Sequence, residues 1–369
     1  MLTSLRNLTV LTAVVVLGLT GCTPAAAPAD SAVADDGTIT ITDHTGNEVE
    51  IPADIERVAI DEIPLASTYL AYFEGSAPHL VGMSAAVVDS LKNTVAAEMA
   101  PELLEVDTSF YDEGELNIES LLAIKPDVVF YNANNTEHAD MFAKAGIAAV
   151  GFSTDGDPTT VYADWLTLLE DVFQEPGKMD DVISSGADLV SDVVDRTATV
   201  ADKQKVLIIF NYAAGTLRVA GETPFFGYYW LQAAGADNAA VGAEGGLAAV
   251  TAEQVLAWDP DVVLVGGSGQ ARITPEQIIG GTVDGLDLTS LRAVKEGRVY
   301  SNDLGMWSWF TPNPDAPLVA EWLGSVLYPD EFADVDLVSQ TQKYYEDVYG
   351  FELTDADATE IFQGSLANE

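Results

Sequence analysis

Positive charge, histidine and cysteine are all scarce in this chain, and each shortage removes a class of function. Lys and Arg number 15 against 59 Asp and Glu, a formal net charge of −44. Such a molecule repels nucleic acid and anionic lipid surfaces, so neither is a partner by electrostatic attraction. Only 20% of residues are charged, so the imbalance reflects missing cations, as suits a secreted protein or a salty habitat. The three histidines, His44, His79 and His138, are too few for a Zn or Mn site that gathers several imidazoles on one ion. His44 falls in a hairpin turn and His79 follows Pro78 in a surface turn. His138, shortly after a strand, reads as an exposed histidine at a helix start. Cys22 is the only cysteine, so no disulfide forms within the chain. Catalytic patterns are missing too. There is no phosphate-binding Walker loop, dinucleotide glycine pattern or His-Glu-x-x-His, and Gly266–Gln270 (GGSGQ) lacks the last glycine of a nucleophile elbow. The expectation is a binding protein with no intrinsic cofactor, not an enzyme.

No apolar run is long enough to span a bilayer, which takes about 20 residues. The run Leu8–Leu19 is short, follows Arg6 and ends in Leu19-Thr20-Gly21-Cys22. A basic start, a short apolar stretch and small residues before a cut describe a secretory signal over residues 1–21. The last four residues resemble the bacterial lipobox, in which the cysteine is acylated and becomes the mature N-terminus. Cys22 would then tie the protein to the outer face of the cell membrane by its acyl chains (palmitate among them). Residues 22–36, rich in Ala, Pro and Asp, read as a flexible tether.

What the chain does contain is an internal copy. Leu116–Phe130 (LNIESLLAIKPDVVF) and Val250–Leu264 (VTAEQVLAWDPDVVL) align without a gap and are about half identical. Glu119/Glu253, Leu122/Leu256 and Ala123/Ala257 have helical spacing; Pro126/Pro260 stops the helix; Val128-Val129/Val262-Val263 open a buried strand. A helix–Pro–strand unit used twice predicts two α/β lobes of like construction, each a mainly parallel sheet flanked by helices, with a ligand cleft between them. The first lobe spans 37–157, opening on a hairpin about Thr45-Gly46-Asn47 and continuing through strands at 57–60, 80–83, 127–131 and 147–152. A bridging segment spans 158–203, with one long helix over 178–199. The second lobe spans 204–328, with strands at 205–210, 261–265 and 298–301. Helices over 329–369 pack back on a lobe. A single helical bridge resists large closure.

The opening TITDHTGNEVEIP–RVAI, the block LNIESLLAIKPDVVF, the segment Phe225–Asn238 (FFGYYWLQAAGADN), GRVYSND and APLVAEWLGSVLYPDEF, in this order, resemble the substrate-binding lipoproteins of ABC importers for iron–siderophore complexes, haem and cobalamin. The resemblance covers most of residues 38–350. It implies a monomer, anchored outside the cell membrane, that captures a metal chelate and delivers it to an ABC permease. A ferric siderophore is the first expectation, haem or cobalamin the alternative, and an extracytoplasmic hydrolase a more distant one. It also implies one acidic residue on each lobe for docking to the permease, and Glu137 and Glu276 occupy the matching places.

Ligands of open α/β sheets bind beyond the carboxyl ends of the strands. That rule nominates the loops Asp61–Pro64, Phe110–Asp112 and Tyr131–Asn135 in the first lobe, and Asn211-Tyr212, Gly266–Arg272 and Asn302–Thr311 in the second. Trp307, Trp309 and Phe310 would wall a flat or greasy ligand. Tyr111, Tyr131 and Tyr212 are candidate phenolate ligands to Fe(III) or hydrogen-bond donors, with Asn132 beside them. Arg218 and Arg272 are candidate partners for a negatively charged chelate.

Overall fold

The computed structural model describes residues 37–61, 65–92, 94–112, 114–266, 272–301 and 311–363. The chain opens on a hairpin, β1 (Thr38–Thr42) and β2 (Glu48–Pro52), closed by Asp43. One oxygen of this buried carboxylate accepts the N–H groups of Thr45 and Asn47, and the other accepts that of Gly151, which fastens the hairpin to the first sheet.

The chain then runs β3 (Val58–Ile60), α1 (Leu65–Tyr72), β4 (Leu80–Met83), α2 (Ala85–Leu91), α3 (Val95–Met99), β5 (Tyr111–Asp112), β6 (Glu115–Leu116), α4 (Ile118–Ala123), β7 (Val128–Asn132), α5 (Thr136–Ala145) and β8 (Ala149–Phe152). The first sheet is wholly parallel, in the order β4-β3-β7-β8. Two helices follow, α6 (Pro158–Phe173) and α7 (Asp180–Thr197). Next come β9 (Lys205–Ala213), β10 (Thr216–Ala220), α8 (Phe226–Ala233), β11 (Asp237–Asn238), β12 (Leu247–Val250), α9 (Ala252–Trp258), β13 (Val262–Val265), α10 (Pro275–Ile279), α11 (Arg292–Lys295) and β14 (Val299–Ser301). The second sheet has the order β12-β10-β9-β13-β14, with β11 on β9. The chain ends in α12 (Ala316–Leu327), α13 (Leu337–Tyr349) and α14 (Asp355–Gln363).

The second sheet is mixed. Strand β9 runs to Ala213 and folds back on itself as β10 through the two residues Ala214 and Gly215, whose φ values of 52° and 80° are those of a tight hairpin turn. Strands β9, β13 and β14 remain parallel.

The copied segments form the same construction in two separate sheets. Strand β7 lies beside β3 in the register Val58↔Val128, and β13 beside β9 in the register Val206↔Val262. The residue before each proline, Lys125 and Asp259, has a positive φ of 50° and 43°. Proline excludes its predecessor from the right-handed helical region, so the helix must leave there. The aspartate after each proline binds across to the neighbouring strand. Asp127 accepts the N–H groups of Glu56 and Arg57, and Asp261 that of Lys205. The Arg57 side chain in turn donates to the carbonyls of Ile124 and Lys125 just past α4, and that of Lys205 to those of Trp258 and Asp259 at the end of α9, where the negative end of a helix favours a cation.

Glu170 accepts the N–H groups of Gly177 and Met179 and so fixes the turn between α6 and α7. Helix α6 packs against α1, α8 and α12, and α7 against α6, α8 and α12. One buried cluster therefore runs from Val58 and Ile60 of the first sheet through Trp165 and Leu169 of α6 to Val206, Ile208 and Leu264 of the second. The long helix expected over 178–199 is α7, but the core connecting the lobes includes α6 as well.

Candidate functional site

The carboxyl end of the first sheet carries a connected trio. Asp61 follows β3 directly, and its N–H donates to the carbonyl of Phe130 on β7. Its side chain is fully buried. Tyr111 Oη donates a hydrogen bond to Asp61 Oδ1. His138 Nδ1 lies 2.7 Å from Asp61 Oδ2. His138 stands in the first turn of α5, where the N-cap Asn135 accepts its backbone N–H. Its ring meets the edge of Phe142 at 6.2 Å and lies 6.4 Å from the ring of Tyr111. The imidazole keeps 15% of its side-chain surface exposed, whereas the aspartate keeps none. Burial pushes the Asp61 carboxyl up, and the hydrogen bonds from Tyr111 and then His138 pull it back. The exposed helix-start histidine of the sequence reading is at a helix start but is largely covered and bonded to a carboxylate.

At the carboxyl end of the second sheet Phe210 stands just past the level of Val265, the last residue of β13. It meets the edge of Phe225 at 6.2 Å, and Phe225 stacks on Phe226 at 4.4 Å. All three rings are half-buried. None is among the candidates the sequence nominates; the available signal is the Phe-Phe pair at the start of α8, within the segment Phe225–Asn238 that carries part of the resemblance.

The other nominated residues fall in several places. Tyr111 is in the trio. Asn132 ends β7, and its side-chain oxygen accepts the N–H of Asn134. Tyr131 is brought elsewhere: it is 5% exposed and packs edge-on against Phe142, beside Asp43 and the hairpin groove. The physical reason is the alternation of a strand, which sends Phe130 to one face of the sheet and Tyr131 to the other. Burial, then Asp43, push its phenol up, which opposes a phenolate there. Tyr212 Oη donates to the carbonyl of Asp284 at 2.9 Å and so ties the β9–β10 hairpin to the 283–285 turn. Arg218 is exposed on β10, and Arg272 is exposed with a positive φ of 59°. Glu137 and Glu276 are exposed in the first turns of α5 and α10, the helices that follow the twin strands β7 and β13. Cys22, Trp307, Trp309 and Phe310 lie outside the described residues.

This architecture has known counterparts. A family profile described as periplasmic binding protein matches residues 65–303, so the chain belongs to that family. Its members are extracytoplasmic proteins that bind small molecules and work with ABC importer permeases; they are not enzymes. The chain is 29% identical over 331 residues to the molybdate-binding protein MolA of Haemophilus influenzae, a match covering 84% of this chain and 90% of that one. The structure of MolA bound to molybdate superposes with a TM-score of 0.71 at 26% identity, over 85% of this chain and 99% of that one. A periplasmic solute-binding protein of Veillonella parvula gives a TM-score of 0.77 at 29% identity, over 87% and 96%. CeuE of Helicobacter pylori, in a nickel–histidine complex, gives 0.69 at 20% identity over 88% and 99%, a likeness of fold alone.

Proposed function

We propose that the chain is the lipid-anchored receptor of an ABC importer for a metal chelate, a ferric siderophore before haem or cobalamin, held between the carboxyl ends of the two sheets. The observation that carries this reading is the division of chemistry between those ends. One offers a phenol and an imidazole held on a buried carboxylate, the other a bank of three half-buried aromatic rings. A metal centre with an apolar organic shell needs both: donor atoms on one side and flat apolar surface on the other. Trp307, Trp309, Phe310, Asn132 and Arg272 are further ligand contacts in this reading. Cys22 supplies the anchor, Glu137 and Glu276 meet basic residues of the permease, and the receptor works as a monomer.

Molybdate is the second reading, favoured by the 29% identity to MolA. It asks for hydrogen-bond donors and positive charge around a compact dianion rather than for aromatic surface. Titration of the tryptophan fluorescence with ferric siderophores, haemin, cobalamin and molybdate separates the two. Quenching at micromolar ferric chelate, lost in the Phe225→Ala variant, is the expected result. Saturation by molybdate alone, unaffected by Phe225→Ala, would replace the chelate reading.

A further inference from the structure

The first sheet ends on β8, whose outer edge is closed at one residue and open at another. In the register Val129↔Ala149 the N–H of Val129 donates to the carbonyl of Ala148. Ala148, Val150 and Phe152 therefore turn their backbone groups toward β7, and Ala149 and Gly151 turn theirs outward. Gly151 is satisfied there: its N–H donates to Asp43 and its carbonyl accepts the N–H of His44. The outward groups of Ala149, which is half-buried, have no such partner among the described residues. Strand β2 has an open edge of its own, because it pairs only with β1. The bonds from Asp43 N–H to Asn47 and from Ala53 N–H to Gly37 set the phase of that ladder. Val49 and Ile51 thus bond to β1, and Glu48 and Glu50 present their N–H and C=O groups to the outside.

Both edges line one groove of about 600 Å³ between the hairpin and α5, with Phe142 and Ile147 among its apolar walls. Tyr131 stands in it, 5% exposed, and its hydroxyl has no hydrogen-bond partner among the described residues. A Cβ at Gly151 would come within 3.0 Å of that hydroxyl and 2.9 Å of Asp43 Oδ2, so the phenol sits beside the place where the edge of β8 is already closed. A polar group buried so deeply is destabilising unless something bonds to it. The charged residues lining the groove, Asp43, Glu48 and Glu50, are all acidic.

We propose that this groove docks an extended basic segment of a partner protein, which pairs with the outer edges of β8 and β2 and takes the Tyr131 hydroxyl on a backbone carbonyl. Open strand edges are templates for a further strand, and main-chain bonds supply the affinity of such additions. The acidic rim supplies the choice of partner. It turns away acidic strands, including those of a second copy of this chain with its net charge of −44, and favours lysine or arginine at alternate positions. The five residues of β2 set the length that can pair. None of Asp61, Tyr111 and His138 lines the groove, so the proposal is independent of what the cleft holds.

The test titrates short capped peptides into the full chain by calorimetry at low ionic strength. A peptide of alternating lysine and valine is expected to bind, and to weaken as salt screens the exposed charges. A peptide of alternating glutamate and valine is expected not to bind. N-methylation of the lysine peptide at every second residue deletes the N–H groups of one edge and keeps the charge; it should abolish binding, which separates strand pairing from plain attraction to an acidic protein. Ala149→Pro removes one outward N–H and no ladder bond, and should weaken binding by roughly 3–10-fold, the loss of one hydrogen bond. Tyr131→Phe keeps the backbone intact, should act in the same direction, and carries the test should the proline variant fail to fold. Glu48→Lys combined with Glu50→Lys should abolish binding of the lysine peptide. No binding by the lysine peptide, equal binding by its N-methylated form, or wild-type affinity in both Ala149→Pro and Tyr131→Phe overturns the proposal. Concentration-dependent dimerisation in sedimentation, removed by Ala149→Pro, would make a second copy the occupant and overturn it as well.

Discussion

Glu321, on α12, is buried between α12 and α7, and among the described residues its Oε2 has no hydrogen-bond partner. Burial, then Asp192, push its carboxyl up to about 7, while Arg196 pulls the other way. The folded pKa lies above the unfolded one, so the native state is penalised as the unfolded chain ionises. Below the ordinary carboxyl range both states hold the proton and the penalty vanishes; it grows through pH 5–7 and is complete above about 7. Glu321→Gln is therefore expected to stabilise the protein by roughly 1–3 kcal/mol at pH 8 and by almost nothing at pH 4.5, as read from urea unfolding at the two pH values. The candidate site is a contrast at the same scale. The rule that ligands sit at strand carboxyl ends reached Asp61 and Tyr111 as members of nominated loops. It did not show that they bond, because the pair is separated by 50 residues and Asp61 from His138 by 77. Distances of that kind are set by how strands order in the sheet, which no local pattern encodes.

At the scale of elements, the two helix–Pro–strand units were legible because everything that makes them is local. Helical spacing, a proline stop and a β-branched run lie within fifteen residues, and the structure adds the paired positive φ at Lys125 and Asp259. The packing of α7 is a longer-range matter. Gly186 is buried where a Cβ would run into the hydroxyl of Tyr162 on α6 and come within 3.0 Å of Pro317 on α12. One extra methyl there is expected to push the helices apart. Gly186→Ala should cost about 1–3 kcal/mol, the range for overpacking a well-filled core, despite the better helix propensity of alanine. A rise in melting temperature would mean that α7 is not held against both neighbours.

At the scale of the molecule, the lobes are joined through a core rather than a thread. The buried cluster that reaches from the first sheet through α6 to the second would have to be broken for the lobes to swing far apart. Interiors packed in this way shift between discrete arrangements and do not deform smoothly. Addition of a saturating ligand is therefore expected to change the radius of gyration by less than about 1 Å, the scale of motion in preorganised complexes, measured by small-angle X-ray scattering. A contraction of several ångströms would show that the α6–α8 contacts open.

The sequence by itself determined the class of the fold. Its duplicated unit, alternating strands and helices and acidic, histidine-poor composition already pointed to two α/β lobes that bind and do not catalyse. Those signals survive in one dimension because helix and strand periods are written into neighbouring residues. Only the tertiary structure decided which nominated residues share a site. It sent Tyr131 to the hairpin side of the sheet, tied Tyr212 to Asp284, and joined Asp61, Tyr111 and His138. The physical reason is that a hydrogen bond between side chains depends on strand order, strand face and helix entry angle together, and those are fixed only when the whole core packs.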